Sequence, residues 1–301
     1  MLSKLRVQHY KSLFDTEVDL EPLTVFIGPN GSGKSNICEA LAVLSDFLRK
    51  LIDTKNNKQI ITLFSDSLKS LSRNQQNIES KFWHGKQDYL SFALTYLTTT
   101  KTTAYDKYQE NLDISVHLDY PERKIKVENL EKSIDFICKT ANPLREFLVS
   151  NQYSNSSLFK AIRKVNVYDF APTYLSSKIS SSGSMDRTGQ GIANTLLDIL
   201  LTNRDRFDEL QYRLTQLVPH IKSIALPRGE NQTFSIELVD RYSEHHIPAS
   251  DISDGTLRIL GFLTALYQEN TPSIICFEEL EAYDGALGEL WFTNGFGGNR
   301  E

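Results

Sequence analysis

Sulfur is scarce in this chain: its 301 residues include three cysteines and two methionines. Cys38, Cys138 and Cys276 are odd in number and far apart, which speaks against a disulfide framework or a cysteine metal cluster and suits reduced thiols. No stretch approaches 18 uninterrupted apolar residues, so no membrane-crossing helix is expected. The opening, MLSKLRVQHYKSLF, lacks an apolar core of signal-peptide length, and the expected compartment is the cytoplasm. No charge sign dominates either. Lys plus Arg number 33 against 38 Asp plus Glu, a net −5, which excludes a basic nucleic-acid coat and leaves room only for a local basic patch. With 40% hydrophobic and 24% charged residues the chain is neither disordered nor fibrous, and its length fits one or two domains.

What is present is an alternation of strand and helix patterns. Leu5, Val7 and His9 alternate with polar residues, Val18–Leu20 follows, and Leu23–Ile27 is a compact β-rich run. After a glycine-rich turn, Ile37, Leu41, Leu44 and Leu48 recur at helical spacing. Residues 54–79 are polar and read as irregular or exposed helical sequence. Strands are expected at Tyr89–Leu97 and Leu112–Leu118, with a hairpin tip at Thr98–Thr103. Residues 130–163 read as mostly helical, broken at Asn142-Pro143, and Ser176–Ser184 has loop composition. A strand at Val165–Phe170, helix over Ile192–Leu217, strands at Ile221–Leu226 and Phe234–Leu238, a helix over Thr256–Gln268 and a buried strand at Ile274–Phe277 complete the reading.

The sharpest motif is Gly28-Pro29-Asn30-Gly31-Ser32-Gly33-Lys34-Ser35, a full match to G-x-x-x-x-G-K-[ST], followed by Asn36. Glycines let backbone amides close around phosphate oxygens, and the following helix adds its positive N-terminal end. Lys34 supplies the cation that reaches the β- and γ-phosphates of ATP, and the Ser35 hydroxyl ligates Mg²⁺. The competing reading is a chance glycine turn.

A second element is Ser273–Glu279, where apolar residues run into paired carboxylates. Glu278 is expected to ligate Mg²⁺ and Glu279 to polarise the attacking water as general base. Acids placed after a buried strand for solubility are the alternative. The third element is Ser253-Asp254-Gly255 at the head of a helix, whose hydroxyl and amides suit a γ-phosphate. Ordinary N-capping is the alternative there.

Together, GPNGSGKSN, SDGTLR and a strand ending in two glutamates resemble ABC-type ATPase heads of the RecF, OLD and SMC-like kind. Tyr10-Lys11-Ser12-Leu13-Phe14 is similar to the F-K-S-F opening of such heads, and Val167–Pro172 with Gly189–Asn194 resembles their bacterial AAA-type branch. The resemblance covers about residues 1–50 and 160–280. It implies an α/β P-loop NTPase of ABC-head type, with a mixed β-sheet built from 1–50 and 160–301 and a helical/β insertion over 51–159. It further implies that Ser253 and Gly255 complete the ATP site of a second subunit, in an ATP-dependent homodimer. A separate effector protein, DNA maintenance and phage defence are the implied context; no membrane partner is expected.

The sequence also departs from that family. Relatives continue past the paired acids with Pro-Glu-Asn-x-x-His-Pro and a later Thr-His-Ser strand, whereas Glu279 is followed by Leu280-Glu281-Ala282-Tyr283 and no histidine lies beyond His246. The expectation is that a segment near Leu280–Tyr283 is lost, that hydrolysis is slow, and that a Toprim-like nuclease domain is absent from this tail. His245-His246 reads as a polar turn rather than a metal site, and His84, His117 and His220 as isolated residues. Trp83 and Trp291 read as packing residues. Arg123-Lys124 and Arg163-Lys164 read as solvated faces, with DNA phosphate contact as the alternative.

Overall fold

The structure is a computed structural model that describes residues 1–53, 60–71, 89–99, 107–117, 124–128, 136–138, 146, 157–177, 184–229 and 233–279. The chain is mixed α/β and divides into two compact units, Met1–Asn166 with Pro272–Ile274, and Val167–Thr271 with the chain from Ile275 onward.

In the first unit, Leu2–Tyr10 (β1) and Leu13–Asp19 (β2) form an antiparallel hairpin. β1 also pairs with Tyr89–Thr99 (β3), and Lys107–His117 (β4), Lys124–Glu128 (β5) and Phe136–Cys138 (β6) extend the sheet in the order β2-β1-β3-β4-β5-β6. One face of β1 carries Leu5 and Val7, both buried, as period-2 alternation requires. Lys34–Asp53 (α1) and Ile60–Leu71 (α2) supply the facing apolar stripes: Leu41, Leu44, Phe47, Leu48 and Leu51 from α1, and Leu63, Phe64 and Leu68 from α2. Phe64 bridges the layers, 5.4 Å from the Phe47 ring and 6.1 Å from Phe92 on β3. Ser157–Ile162 (α3) buries Leu158, Phe159 and Ile162.

Val165–Tyr168 (β7) pairs with Ile274–Phe277 (β11). The amides of Ser273 and Glu278 donate to the carbonyls of Lys164 and Tyr168, so the two strands run in parallel. The second unit continues through Pro172–Leu175 (α4), Ile192–Thr202 (α5) and Arg204–Leu217 (α6). Ile221–Ala225 (β8), Glu237–Asp240 (β9) and His246–Pro248 (β10) form an antiparallel sheet, and Asp254–Tyr267 (α7) leads to β11. Its core gathers Tyr168, Leu196, Leu210, Leu238, Leu260 and Leu263 around α7.

Four expectations are corrected. Leu23–Ile27 joins no ladder among the described residues, and Leu23, Val25 and Ile27 are exposed by 44%, 54% and 93%. Strand-forming residues make a strand only where a neighbouring edge accepts their amides, and propensity alone does not supply that edge. Within the polar stretch 54–79, α2 is a core helix, because Leu63, Phe64 and Leu68 share one face. Within 130–163, Phe136–Cys138 is a strand paired with β5 rather than helix. His246 opens β10 with its ring Nδ1 2.9 Å from Glu237 Oε2, so only His245 belongs to the turn. Residues 100–103 of the expected hairpin tip, the Asn142-Pro143 break, residues 178–183 of the expected loop, His84, Trp83, Trp291 and the whole tail after Glu279 lie outside the described residues.

Candidate functional site

The phosphate-loop motif lies in the first unit as an exposed turn opening into α1. Ser32 donates its amide to Pro29 O at 3.2 Å, and the Ile37 amide reaches Gly33 O at 3.1 Å, the first helical bond. Gly33 has φ +96°, a conformation that favours glycine, and a Cβ there would lie 2.8 Å from Leu13 Cδ2, which would have to shift. The first turn of α1 carries no acid, which leaves the positive end of the helix dipole uncompensated. Lys34 turns back over the loop: its ammonium donates to Gly28 O at 2.5 Å and Pro29 O at 3.0 Å. Ser35 is exposed at the helix start, and Asn36 Nδ2 donates to Ser12 Oγ at 2.7 Å.

Beneath this loop, the YKSLF segment has a structural task that motif matching alone does not assign. Glu39, buried on α1, accepts Tyr10 Oη at 2.8 Å and Lys11 Nζ at 2.5 Å. His9 and Lys11 adopt left-handed backbone, φ +57° and +50°, on either side of Tyr10. The turn from β1 to β2 is thereby fixed against the helix that follows the phosphate loop.

In the second unit β11 delivers Glu278 and Glu279. Phe277 stacks on Tyr168 at 5.7 Å and lies 4.5 Å from Phe262, which anchors the strand end in an aromatic cluster. The Glu278 side chain is 8% exposed and accepts Arg187 Nη2 at 2.6 Å. Glu279 is exposed, with φ +57°. Neither position nor spacing pointed to Arg187, which stands 91 residues from its partner.

Ser253 is the N-cap of α7. Its Oγ accepts the Thr256 amide at 3.3 Å and donates to Thr256 Oγ1 at 2.9 Å. Asp254 occupies the first turn, where a carboxylate suits the dipole. Among the described residues a Cβ on Gly255 would meet nothing within 4 Å, so their packing demands no glycine there.

The Ser35 hydroxyl and the Glu278 carboxylate are hard oxygen donors of the type Mg²⁺ prefers. Among the described residues no group of three His, Cys, Asp or Glu could hold a metal ion. Among those residues, too, no helix is long and apolar enough to cross a membrane.

Residues 23–283 match the family model described as "AAA domain, putative AbiEii toxin, Type IV TA system". Over 45 residues the chain is 47% identical to the DNA replication and repair protein RecF of Corynebacterium jeikeium (strain K411), covering 15% of this chain and 11% of that protein. Over 47 residues it is 45% identical to the OLD nuclease of Thermus scotoductus (strain ATCC 700910 / SA-01), covering 15% and 9%. The chain thus spans about a tenth of the length of the curated relatives it matches. Among solved structures it is similar to an Smc head bound to the C-winged helix domain of ScpA, with TM-score 0.47, 14% identity and coverage of 95% of this chain and 92% of that one. An Smc head domain with an extended coiled coil, bound to the C-terminal domain of ScpA derived from Pyrococcus furiosus, gives 0.45, 13%, 95% and 83%.

Proposed function

This chain belongs to the AAA-domain ATPase family whose model it matches over residues 23–283, and from that premise we propose an ATP-hydrolysing head of ABC type that works as an ATP-bridged homodimer. The amides of Gly28–Ser35 and the Lys34 ammonium bind the β- and γ-phosphates, and Asn36 holds the loop on Ser12. Ser35 and Glu278 supply oxygens to Mg²⁺, which when bound neutralises charge on the β- and γ-phosphates. Glu279 takes the proton of the attacking water. Ser253, Asp254 and Gly255 face the γ-phosphate held by the second subunit. The head is assembled from 1–50 and 160–301, with 51–159 as the insertion.

One observation carries this reading: a G-x-x-x-x-G-K-S turn whose Gly33 has a conformation that favours glycine, opening an acid-free helix end. Small-molecule phosphate is the ligand class such a turn serves. The short similarity to a DNA replication and repair protein and to an OLD nuclease supports a role in DNA maintenance. Phage defence, a cytoplasmic location and a separate effector protein belong to the same proposal.

A second reading, a non-hydrolysing ATP-sensing scaffold, is favoured by the engagement of two of these groups within the chain, Lys34 by loop carbonyls and Glu278 by Arg187. Phosphate release at saturating Mg-ATP, with Glu279→Gln as the blank, separates the two. Turnover that this variant abolishes supports the ATPase, and a rate equal to the blank supports the scaffold.

A further inference from the structure

The ion pair between Arg187 and Glu278 is built, not incidental. Both residues hang on one stretch of chain. Tyr168 O accepts the Glu278 amide at 2.8 Å, and the next residue, Asp169, donates its amide to Arg187 O at 2.8 Å. Ala171 N repeats the tie to Thr188 O at 3.1 Å. The loop bearing Arg187 is locked from within, since Asp186 Oδ1 accepts the Thr188 amide and hydroxyl, both at 2.8 Å, and the Gln190 amide at 3.0 Å. Gly189 closes it against the core with φ +94°, where any Cβ would lie 2.4 Å from Leu175 Cδ2. The guanidinium is therefore delivered to a carboxylate only 8% exposed, while Arg187 itself is 23% exposed.

A buried carboxylate is stable only with a counter-charge beside it. A guanidinium and a divalent cation on the same carboxylate repel each other, so each weakens the binding of the other. We propose that Arg187 is the resident counter-ion of Glu278, holding the acid in the metal-free protein and withdrawing as Mg²⁺ arrives with nucleotide. Arg187 is thus a positioning residue that sets how much Mg²⁺ the protein needs. The inference rests on the proposed role of Glu278 as a magnesium ligand.

The test is binding, not turnover. A fluorescent ATP analogue is titrated into the full chain at increasing Mg²⁺ and in EDTA, with thermal melting to confirm folding. In Arg187→Met the Mg²⁺ concentration for half-maximal gain in affinity should fall by at least about fivefold, with affinity in EDTA unchanged. Arg187→Lys, which keeps the charge and guards against a variant that does not fold, should stay near the wild-type value, and Arg187→Gln should follow Arg187→Met. In a Glu278→Gln background the Arg187 substitutions should have no effect. An unchanged or higher Mg²⁺ requirement in folded Arg187→Met or Arg187→Gln overturns the proposal and leaves Glu278 as a ligand. A wild-type protein whose nucleotide affinity ignores Mg²⁺ overturns the ligand role and the proposal together.

Discussion

Glu39, one helical turn beyond Ser35, accepts the hydroxyl of Tyr10 at 2.8 Å while its other oxygen takes Lys11 Nζ. The carboxylate joins the end of β1 to the helix that carries the phosphate loop, and Tyr10 is fully buried. Removing the acid takes the acceptor at 2.8 Å from a buried hydroxyl and the counter-charge from Lys11. Glu39→Ala is expected to cost about 2–4 kcal/mol in urea unfolding, more than Tyr10→Phe at about 1 kcal/mol. Equal and small losses would show that the contact does not fix the helix.

Lys34 presents a different balance. Its partners are exposed loop carbonyls that water can satisfy, so Lys34→Ala should leave stability within about 0.5 kcal/mol of wild type. ATP affinity by calorimetry should fall at least about tenfold, or roughly 1.4 kcal/mol, because the loop loses its cation. Unchanged affinity in the folded variant would remove the phosphate-loop assignment.

Sequence reading reached what is local. The phosphate turn, α1 and α7 carry their glycines, cap and apolar spacing within a few residues, and strand β11 is bounded by Pro272 and two acids. The α2 stripe of Leu63, Phe64 and Leu68 was present but hidden by the Asn, Lys and Gln residues on either side. Alternation in Lys124-Ile125-Lys126-Val127-Glu128 is period two, yet five residues do not name a partner, and the pairing with β4 is set by the sheet. The Leu23–Ile27 run shows the opposite error, since propensity names a strand without naming a partner. Arg187 with Glu278, and Glu39 with Tyr10 and Lys11, join residues 91 and about 28 apart, a pairing set only by packing. No pattern of period two or 3.6 encodes it.

Charge on the β1–β2 hairpin gives a prediction in pH. Arg6 Nε and Nη2 donate to the two carboxylate oxygens of Asp15 at 2.8 and 2.7 Å. These bonds hold the Asp15 carboxyl down to about 2, from an ordinary 3.8. With the folded value depressed, the pair's contribution is complete above the ordinary value and fades as pH falls from there toward 2. The pair is exposed, so its effect on stability is small and screened by salt. Carboxyl NMR should find Asp15 titrating near 2 in the wild type and back near the ordinary value in Arg6→Gln. No difference between the two would show that the fork does not persist in solution.

Gly255 distinguishes a helix start from a contact with a second subunit. The Ser253 cap is complete by itself, with its Oγ on the Thr256 amide, so the helix has no need of a glycine two residues later. Among the described residues the space around a Gly255 Cβ is open, and glycine within a helix costs up to about 1 kcal/mol relative to alanine. Local physics therefore favours Gly255→Ala, which should stabilise the monomer by about 0.5–1 kcal/mol in urea unfolding. If the backbone here meets the γ-phosphate of a second subunit, the added methyl stands in that approach, and ATP-dependent dimerisation should weaken at least about tenfold, roughly 1.4 kcal/mol. Ser253→Arg should also block the dimer, but it removes the cap at a cost of about 1 kcal/mol and so mixes the two effects. Gly255→Ala separates them because stability and assembly move in opposite directions. Light scattering of the variant with and without Mg-ATP, beside the wild type, reads the result. A stabilised variant that dimerises as well as the wild type would leave Ser253, Asp254 and Gly255 as a helix cap and nothing more.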